Sequence, residues 1–294
     1  MIIFLIDCFV CLANHIHADG TYKLIWQKHT LITAGTTDSA KAWHPFGVMP
    51  TKTEKSKDYK FFFNSIKKAV KQCYEVDYRP TALIADAASA ITNGFSEAFL
   101  YEVDQFTRVV CWQHVKRGID KHMNLVSKDV RRSIKVDLEI LQECCSPLIF
   151  DKVSKLFLEK WKSLEPDFIK YFTKQWLSPK RLGWYQGYAV FIPDHNNANE
   201  ADNRYIKEDQ ERKRLGLMQF MTHSEVNLLH SWSSCRSEDS YSYKPFNTEP
   251  QLSLKDWTNA WQWSSLNKPI VHTKGFYCVS AGEDKTLSTR GNIF

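Results

Sequence analysis

The sequence has no apolar run long enough to cross a bilayer as a helix, which takes about 20 residues. Its most hydrophobic stretch, residues 1–18, is broken by Asp7 and has no basic segment ahead of it. It therefore reads as a buried first strand rather than an export signal or an anchor. A disulfide framework is also missing. Eight cysteines (Cys8, Cys11, Cys73, Cys111, Cys144, Cys145, Cys235 and Cys278) are scattered over 294 residues. That density is too low for a cystine scaffold and points to a reducing compartment. There is no internal repeat, coiled coil or long low-complexity tract, so nothing suggests a solenoid or a fibre. A strong charge excess is absent too: the formal net charge of +6 permits a polyanionic partner without requiring one.

What remains is the composition of a folded globular chain. Hydrophobic residues make up 43% and charged residues 24%, and the 14% of aromatic residues argues against disorder. The length suits one large domain or two ordinary ones.

The first third alternates strand and helix signals. Residues 2–9, 21–26, 29–33 and 46–49 predict extended structure. Residues 59–76 then place Phe62, Phe63, Ile66, Ala69, Val70 and Cys73 at helical spacing. Lys60, Lys67, Lys68 and Lys71 lie mostly on the other side, the pattern of an amphipathic helix. A compact apolar strand over 81–85 ends at Asp86, a short helix is expected over 94–100, and a buried strand over 108–112. From 128 to 177 the pattern turns helical. Val130, Ile134, Leu138 and Leu141 form one stripe, Val153, Leu156, Phe157, Leu164 and Phe168 continue it, and Pro147 and Pro166 punctuate it. Residues 196–214 are polar with helix-forming composition, and 215–229 predict an apolar helix. Beyond 231 the chain is rich in Ser, Asn and Pro with isolated tryptophans.

Two acids sit where buried strands end or turn. Asp19 is followed by Gly20, and Asp86 by Ala87 and Ala88, so each carboxylate has room beside the backbone for a cation and a phosphate. Carboxylate oxygens are the donors that hard cations such as Mg²⁺ prefer, and paired ions of that kind drive phosphodiester cleavage. Either aspartate alone reads more readily as a turn or cap residue. Glu200 follows Asn196 and Asn197, which suit a helix start and place it in the first turn, where negative charge is favoured. Arg204, Lys207 and Arg214 fall at offsets that keep them near the same helical face, although Glu211 shares it. That face suits a phosphate backbone. It also suits a solvated helix laced with weak ion pairs.

Taken together, these stretches resemble the MULE (Mutator-like element) transposase domain, one of the RNase H-like DDE transposases. His17-Ala18-Asp19-Gly20-Thr21-Tyr22-Lys23-Leu24 resembles the first-aspartate motif. Residues 43–54, from Trp43-His44-Pro45 to Glu54, resemble the strand and turn before the first helix. Leu83-Ile84-Ala85-Asp86-Ala87-Ala88 with Gly94-Phe95 resembles the second-aspartate motif, and Cys111-Trp112-Gln113-His114 the Cys/Asp-x-x-His signature. Asn196-Asn197 with Glu200 and Asn203 resembles the motif of the third acid. The acids lie 67 (86 − 19) and 114 (200 − 86) residues apart, and the longer gap matches a helical insertion in such enzymes. The resemblance runs over roughly residues 15–235.

It implies an α/β, RNase H-like fold: a mixed central sheet flanked by helices, with an all-helical insertion before the last catalytic acid. Residues 1–127 would form the first part of the core, 128–190 the insertion, 191–235 the final core helices, and 236–294 a partly irregular C-terminal extension. It implies metal-assisted hydrolysis at a transposon end and attack of the freed 3′-hydroxyl on target DNA. Asp19, Asp86 and Glu200 would be the catalytic acids holding Mg²⁺ or Mn²⁺. The implied partners are DNA (transposon ends and target) and, as for transposases generally, further copies of the chain in a homo-oligomer. No membrane is involved, and the implied location is the nucleus.

Other constellations carry less. Cys111 and His114 alone do not complete a zinc site, and a structural or DNA-positioning role is equally open. Cys8, Cys11, His15 and His17 mimic a zinc-ligand set, but strand alternation is expected to point them to different faces. Lys116 and Arg117, with Lys121 and His122, and the run 128–135 with Arg131 and Arg132, suit phosphate contacts or a solvated surface. Trp257, Trp261 and Trp263 read as packing residues. The family's zinc-binding N-terminal domain and SWIM-type finger find no counterpart, which reads as a fragment, a truncated copy or a domesticated derivative. A domesticated, non-cleaving DNA- or protein-binding descendant is the alternative reading.

Overall fold

The computed structural model describes residues 2–4, 13–38, 41–101, 105–189, 192–234, 253–264, 270–273, 276–280 and 286–290. They group into two compact units, one within Met1–Arg117 and Pro193–Phe246 and the other within Gly118–Ile192 and Asn247–Phe294.

The first unit is mixed α/β. Its strands are β1 (Ile3–Phe4), β2 (His15–Thr21), β3 (Thr30–Thr37), β4 (Trp43–Thr51), β5 (Ala82–Ala85) and β6 (Thr107–Val110). They form one six-stranded sheet in the order β1-β4-β3-β2-β5-β6. Neighbours from β1 to β2 run antiparallel, whereas β5 and β6 continue parallel to β2. Parallel neighbours need crossover connections, and two helices supply them: α1 (Ser56–Tyr74) leads from β4 to β5, and α2 (Ser89–Phe99) from β5 to β6.

Alternation in β2 decides what each face of the sheet carries. Ile16 and Ala18 point to one side and pack with Ile32, Phe46 and Leu83 against Phe62, Phe63 and Ile66 of α1 and Phe95 and Phe99 of α2. His17 and Asp19 point to the other. On that second side Leu31 and Val48 pack with Ile206, Phe220, Met221 and Trp232 from the later helices. The sheet is thus covered on both faces, and the polar residues of β2 lie under a helix rather than in solvent.

The start of α1 is fixed by Asp58, whose carboxylate accepts from the Lys55 N–H at 3.0 Å and the Thr53 hydroxyl at 2.6 Å. Its end is fixed by Glu75, in left-handed conformation with φ 59°. Where α1 and α2 meet, Gly94 has no room for a side chain: an added Cβ would lie 2.5 Å from Tyr59 Cβ and 2.8 Å from Ser56 O. Gly94→Ala is therefore expected to push the helices apart and destabilise the protein by about 2–3 kcal/mol, read as a lower urea midpoint.

α3 (Trp112–Asp120) follows β6. The second unit holds α4 (Arg131–Gln142), α5 (Pro147–Trp161) and α6 (Pro166–Trp176). Ile134, Leu138 and Leu141 are buried as expected, and so are Phe157 and Phe168. Leu156 and Leu164, read as part of the same stripe, are exposed instead. Both prolines open helices, where a missing N–H costs nothing.

Returning to the first unit, α7 (Asn197–Asp209), α8 (Leu217–His223) and α9 (Leu229–Ser234) follow, with a π-helical segment, Ser224–Leu228, between the last two. In the remaining described residues, α10 (Leu254–Ser264) precedes a three-stranded antiparallel sheet of β7 (Ile270–Thr273), β8 (Phe276–Ser280) and β9 (Thr286–Arg290). Trp257 and Trp261, read as packing residues, are 55% and 76% exposed on α10.

Several boundaries differ from the sequence expectation. Residues 22–26 hold bends, a turn and a single bridge from Ile25 to Leu215 rather than a strand, and Lys23 and Lys28 take left-handed φ values of 69° and 56° where the chain passes between β2 and β3. Trp112 opens α3 instead of closing β6. The expected first strand over 2–9 is seen at Ile3–Phe4, and residues 5–12, with Cys8 and Cys11, lie outside the described residues. No helix among the described residues is long and apolar enough to cross a membrane.

Candidate active site

The site lies where β2, the end of β5, the start of α3 and the start of α7 converge. Asp19 stands within β2, two residues before its end, on the face covered by α7. Its carboxylate accepts from Asn203 Nδ2 of α7 at 3.0 Å. Burial pushes its pKa up to about 7; the negative charges of Asp86 and Glu200 add to the rise, while the Gly20 N–H and the Asn203 side chain oppose it. Three acids separated by 67 and 114 residues along the chain therefore share one electrostatic neighbourhood.

Asp86 directly follows β5. Its Oδ1 accepts from the Ala88 N–H at 2.8 Å, which makes the turn into α2. The turn role weighed for this aspartate is thus real, and it holds the carboxylate in place. Arg108 of β6 fixes the same corner from below. Its guanidinium donates to the Asp86 and Val109 carbonyls, and its Nε to Thr92 Oγ1 at 2.9 Å.

Glu200 lies in the first turn of α7 and its N–H donates to Asn196 O at 3.0 Å. One carboxylate oxygen accepts from Arg117 Nη2 at 2.9 Å, and the other faces His114 Nδ1 at 3.6 Å, too long for a hydrogen bond. Those two facing atoms are buried and have no hydrogen-bond partner. Cys111 Sγ completes the cluster: the ligand atoms of Cys111, His114 and Glu200 all lie within 4.8 Å of one another. The two-residue signature of the sequence is in space a three-residue group.

Asn196 ties these pieces together. It is fully buried, its Oδ1 lies 3.0 Å from His17 Nδ1, its Nδ2 donates to Ala18 O at 3.3 Å, and its N–H donates to Cys111 Sγ at 3.2 Å. One residue thus locks the start of α7 to β2 and to the start of α3. Behind it, His15 and His17 share Thr37 Oγ1 through their Nε2 atoms at 3.1 and 3.2 Å. Burial lowers the pKa of His15 to about 4 and that of His17 well below its ordinary value.

Burial likewise lowers the His114 pKa, opposed by the charges of Glu200 and Asp86, with Arg117 adding to the drop. For Cys111 burial raises the thiol and the charge of Glu200 adds to the rise, opposed by the N–H groups of Asn196, His114 and Gln113. Glu54, at the turn before α1, accepts from Tyr22 OH at 2.6 Å. A Cβ added at Gly20, next to Asp19, would lie 3.4 Å from Glu54 Oε2, so a further carboxylate lies beside this stretch of β2. Neither Glu54 nor Arg108 was singled out from sequence; Glu54 closes the motif stretch 43–54, whereas Arg108 opens an expected buried strand that carried no signal for its role.

The expected basic face is broken up. Arg204 is exposed on α7. Lys207 is half-buried near Asp19: burial lowers its pKa, and the attraction of Asp19 opposes that. Arg214 is not on this helix at all. α7 ends at Asp209, and Glu211 and Arg212 take left-handed φ values of 50° and 57°. Arg214 instead lies over the Trp26 ring, 5.7 Å from its centroid. Arg117 is exposed but engaged with Glu200, and Lys116 is half-buried beside it in α3.

Residues 15–118 match the MULE transposase domain. The match spans β2 through most of α3 and includes Asp19, Asp86, Cys111 and His114; Glu200 and α7 lie beyond it. The chain thus carries a MULE transposase domain. The match suggests a transposase-related function, and a domain of this kind implies DNA as its partner. A search of curated proteins finds no match.

Proposed function

We propose that the chain is the catalytic part of a DDE-type DNA transposase with an RNase H-like core. In this reading it hydrolyses a phosphodiester at a transposon end and joins the freed 3′-hydroxyl to target DNA. The observation that carries the reading is the Asp19 carboxyl, buried and raised to about 7 in part by the charges of Asp86 and Glu200. A carboxyl buried at this cost, with two further carboxylates adding to it, suits a hard divalent cation, Mg²⁺ or Mn²⁺. When bound, such an ion supplies Lewis acidity and neutralises charge at the scissile phosphate.

The protein's own contribution is placement. Asn203 and the Gly20 N–H aim the Asp19 carboxylate. The Ala88 N–H and the Arg108 clamp on the backbone hold the Asp86 corner. Arg117 holds one oxygen of Glu200. Arg204, Lys207, Lys116, Arg117 and Arg214 are the cations assigned to the DNA phosphates, Arg214 from the segment after α7. The reaction belongs in the nucleus, with several copies acting on paired ends.

The test is nicking of a transposon-end duplex. Strand-specific nicking is expected in Mg²⁺ or Mn²⁺ and none in excess chelator. Nicking that persists in chelator, or none with either ion, would refute the proposal.

A further inference from the structure

We infer that Cys111, His114 and Glu200 form a site for a borderline-soft divalent ion of the zinc type, distinct in donor chemistry from the all-carboxylate set. His114 Nδ1 and Glu200 Oε1 face each other at 3.6 Å, both buried and both without a hydrogen bond. Orphaned buried polar atoms are rare in native folds because each is costly, and a facing pair suggests something belongs between them. Zinc bonds of about 2.0–2.1 Å at tetrahedral angles would set an imidazole nitrogen and a carboxylate oxygen about 3.3–3.4 Å apart. The observed gap needs only a small contraction.

The third donor decides the class of ion. Cys111 Sγ and one ligand atom each of His114 and Glu200 lie within 4.8 Å of one another, and sulfur is a ligand that zinc-type ions take and Mg²⁺ refuses. The surroundings suit a coordinated thiolate. Cys111 immediately precedes α3, where the helix N-terminus favours negative charge, and the Asn196 N–H points at the sulfur from 3.2 Å. Arg117 occupies the other oxygen of Glu200 at 2.9 Å, which leaves Oε1 for the ion and fixes its direction, the usual task of an outer partner. Three protein donors leave a fourth position for water or a substrate oxygen.

Glu200 belongs to both donor sets. An ion held by Cys111 and His114 therefore withdraws Glu200 from Asp19 and Asp86, and zinc is expected to oppose Mg²⁺-dependent nicking. That consequence rests on the proposed function; the site itself does not.

Cobalt(II) titration of the whole, chelator-treated chain without DNA tests the site. One equivalent is expected to raise a near-ultraviolet thiolate-to-cobalt charge-transfer band that zinc then erases. Cys111→Ser should lose the band, and Cys73→Ser, at an exposed cysteine, should keep it. Glu200→Gln should bind cobalt at least about tenfold more weakly, a readout that survives if the serine variant does not fold. A missing band, a band that persists in Cys111→Ser, or unchanged affinity in Glu200→Gln would overturn the site. Because no DNA is present, a negative result leaves the cleavage proposal standing, and an inactive protein with an intact band refutes only the latter.

Discussion

Asp86→Asn is expected to lower Mg²⁺-dependent nicking by at least about 10³-fold while leaving the urea midpoint almost unchanged. The substitution keeps the shape of the side chain. An asparagine Oδ1 still accepts from the Ala88 N–H, and Arg108 grips the backbone carbonyl at position 86 rather than its side chain. The turn into α2 therefore survives. What disappears is one negative charge from the set that repels within itself around Asp19. A cation held there would contribute several kcal/mol to the transition state, and each 1.4 kcal/mol is a factor of ten in rate. Binding of the same duplex, followed by fluorescence anisotropy, should be equal or tighter, because removing a carboxylate lessens repulsion of phosphate. Equal nicking by wild type and variant would remove Asp86 from the active site, and weakened binding with equal chemistry would recast it as a DNA contact.

How much of this was legible in the sequence depends on whether the signal was local. α1 announced itself because Phe62, Phe63, Ile66 and Val70 repeat at helical spacing, and all four are buried. β5 was legible as a short apolar run ending at Asp86. β4 was not, because Pro45 and Pro50 interrupt what is a nine-residue strand. Both prolines sit where the ladder tolerates a missing N–H. Pro45 pairs with Gly35 at the β3 bulge, and Pro50 lies beyond the Ile3–Val48 pairing that closes the other edge. The basic face ending at Arg214 was extrapolated through Glu211 and Arg212, whose left-handed turn no residue preference signals.

The site divides in the same way. Small residues after strand-borne aspartates marked Asp19 and Asp86, and the resemblance added Glu200. The partners that aim them were invisible locally: His17 meets Asn196 across 179 residues, and Asn203 meets Asp19 across 184. Asn196 reads as a helix start and Asn203 as part of the third-acid motif, with no burial expected of either. In the structure both are buried, as is Asn199, with Asn199 and Asn203 lying against Thr33 of β3 and Asn196 bonding His17 and Ala18 of β2. Buried polar residues on a helix facing polar residues on a strand cancel in any hydrophobic pattern, so the helix was legible but the face it buries was not.

That burial leads to a second large effect, on stability rather than rate. Asp19→Asn is expected to stabilise the metal-free protein by on the order of 2–4 kcal/mol above pH 7. Folding raises the Asp19 pKa from 3.8 to about 7. Between those values the folded chain holds a proton that the unfolded chain releases. The residue's unfavourable contribution is therefore absent below pH 3.8, grows as pH rises, and is complete above about 7. Asparagine carries no such dependence and still accepts a hydrogen bond from Asn203, although it answers the Gly20 N–H less well. The whole-protein curve mixes opposing groups. Asp202, raised by burial to about 6, acts in the same direction as Asp19. His15, lowered by burial to about 4, and His17 contribute stability above pH 6.5 that is lost as pH falls towards their folded values. The difference between wild type and variant removes these shared terms, since none of those residues is changed. Urea unfolding in chelator should show a gap near zero at pH 4 that widens to its full value by pH 8. Adding Mg²⁺ at pH 8 should then raise the midpoint of the wild type more than that of the variant, because only the wild type keeps the charge that recruits the ion. A gap that stays flat with pH would mean that Asp19 is solvated in the folded protein, and the acid set would lose its buried member.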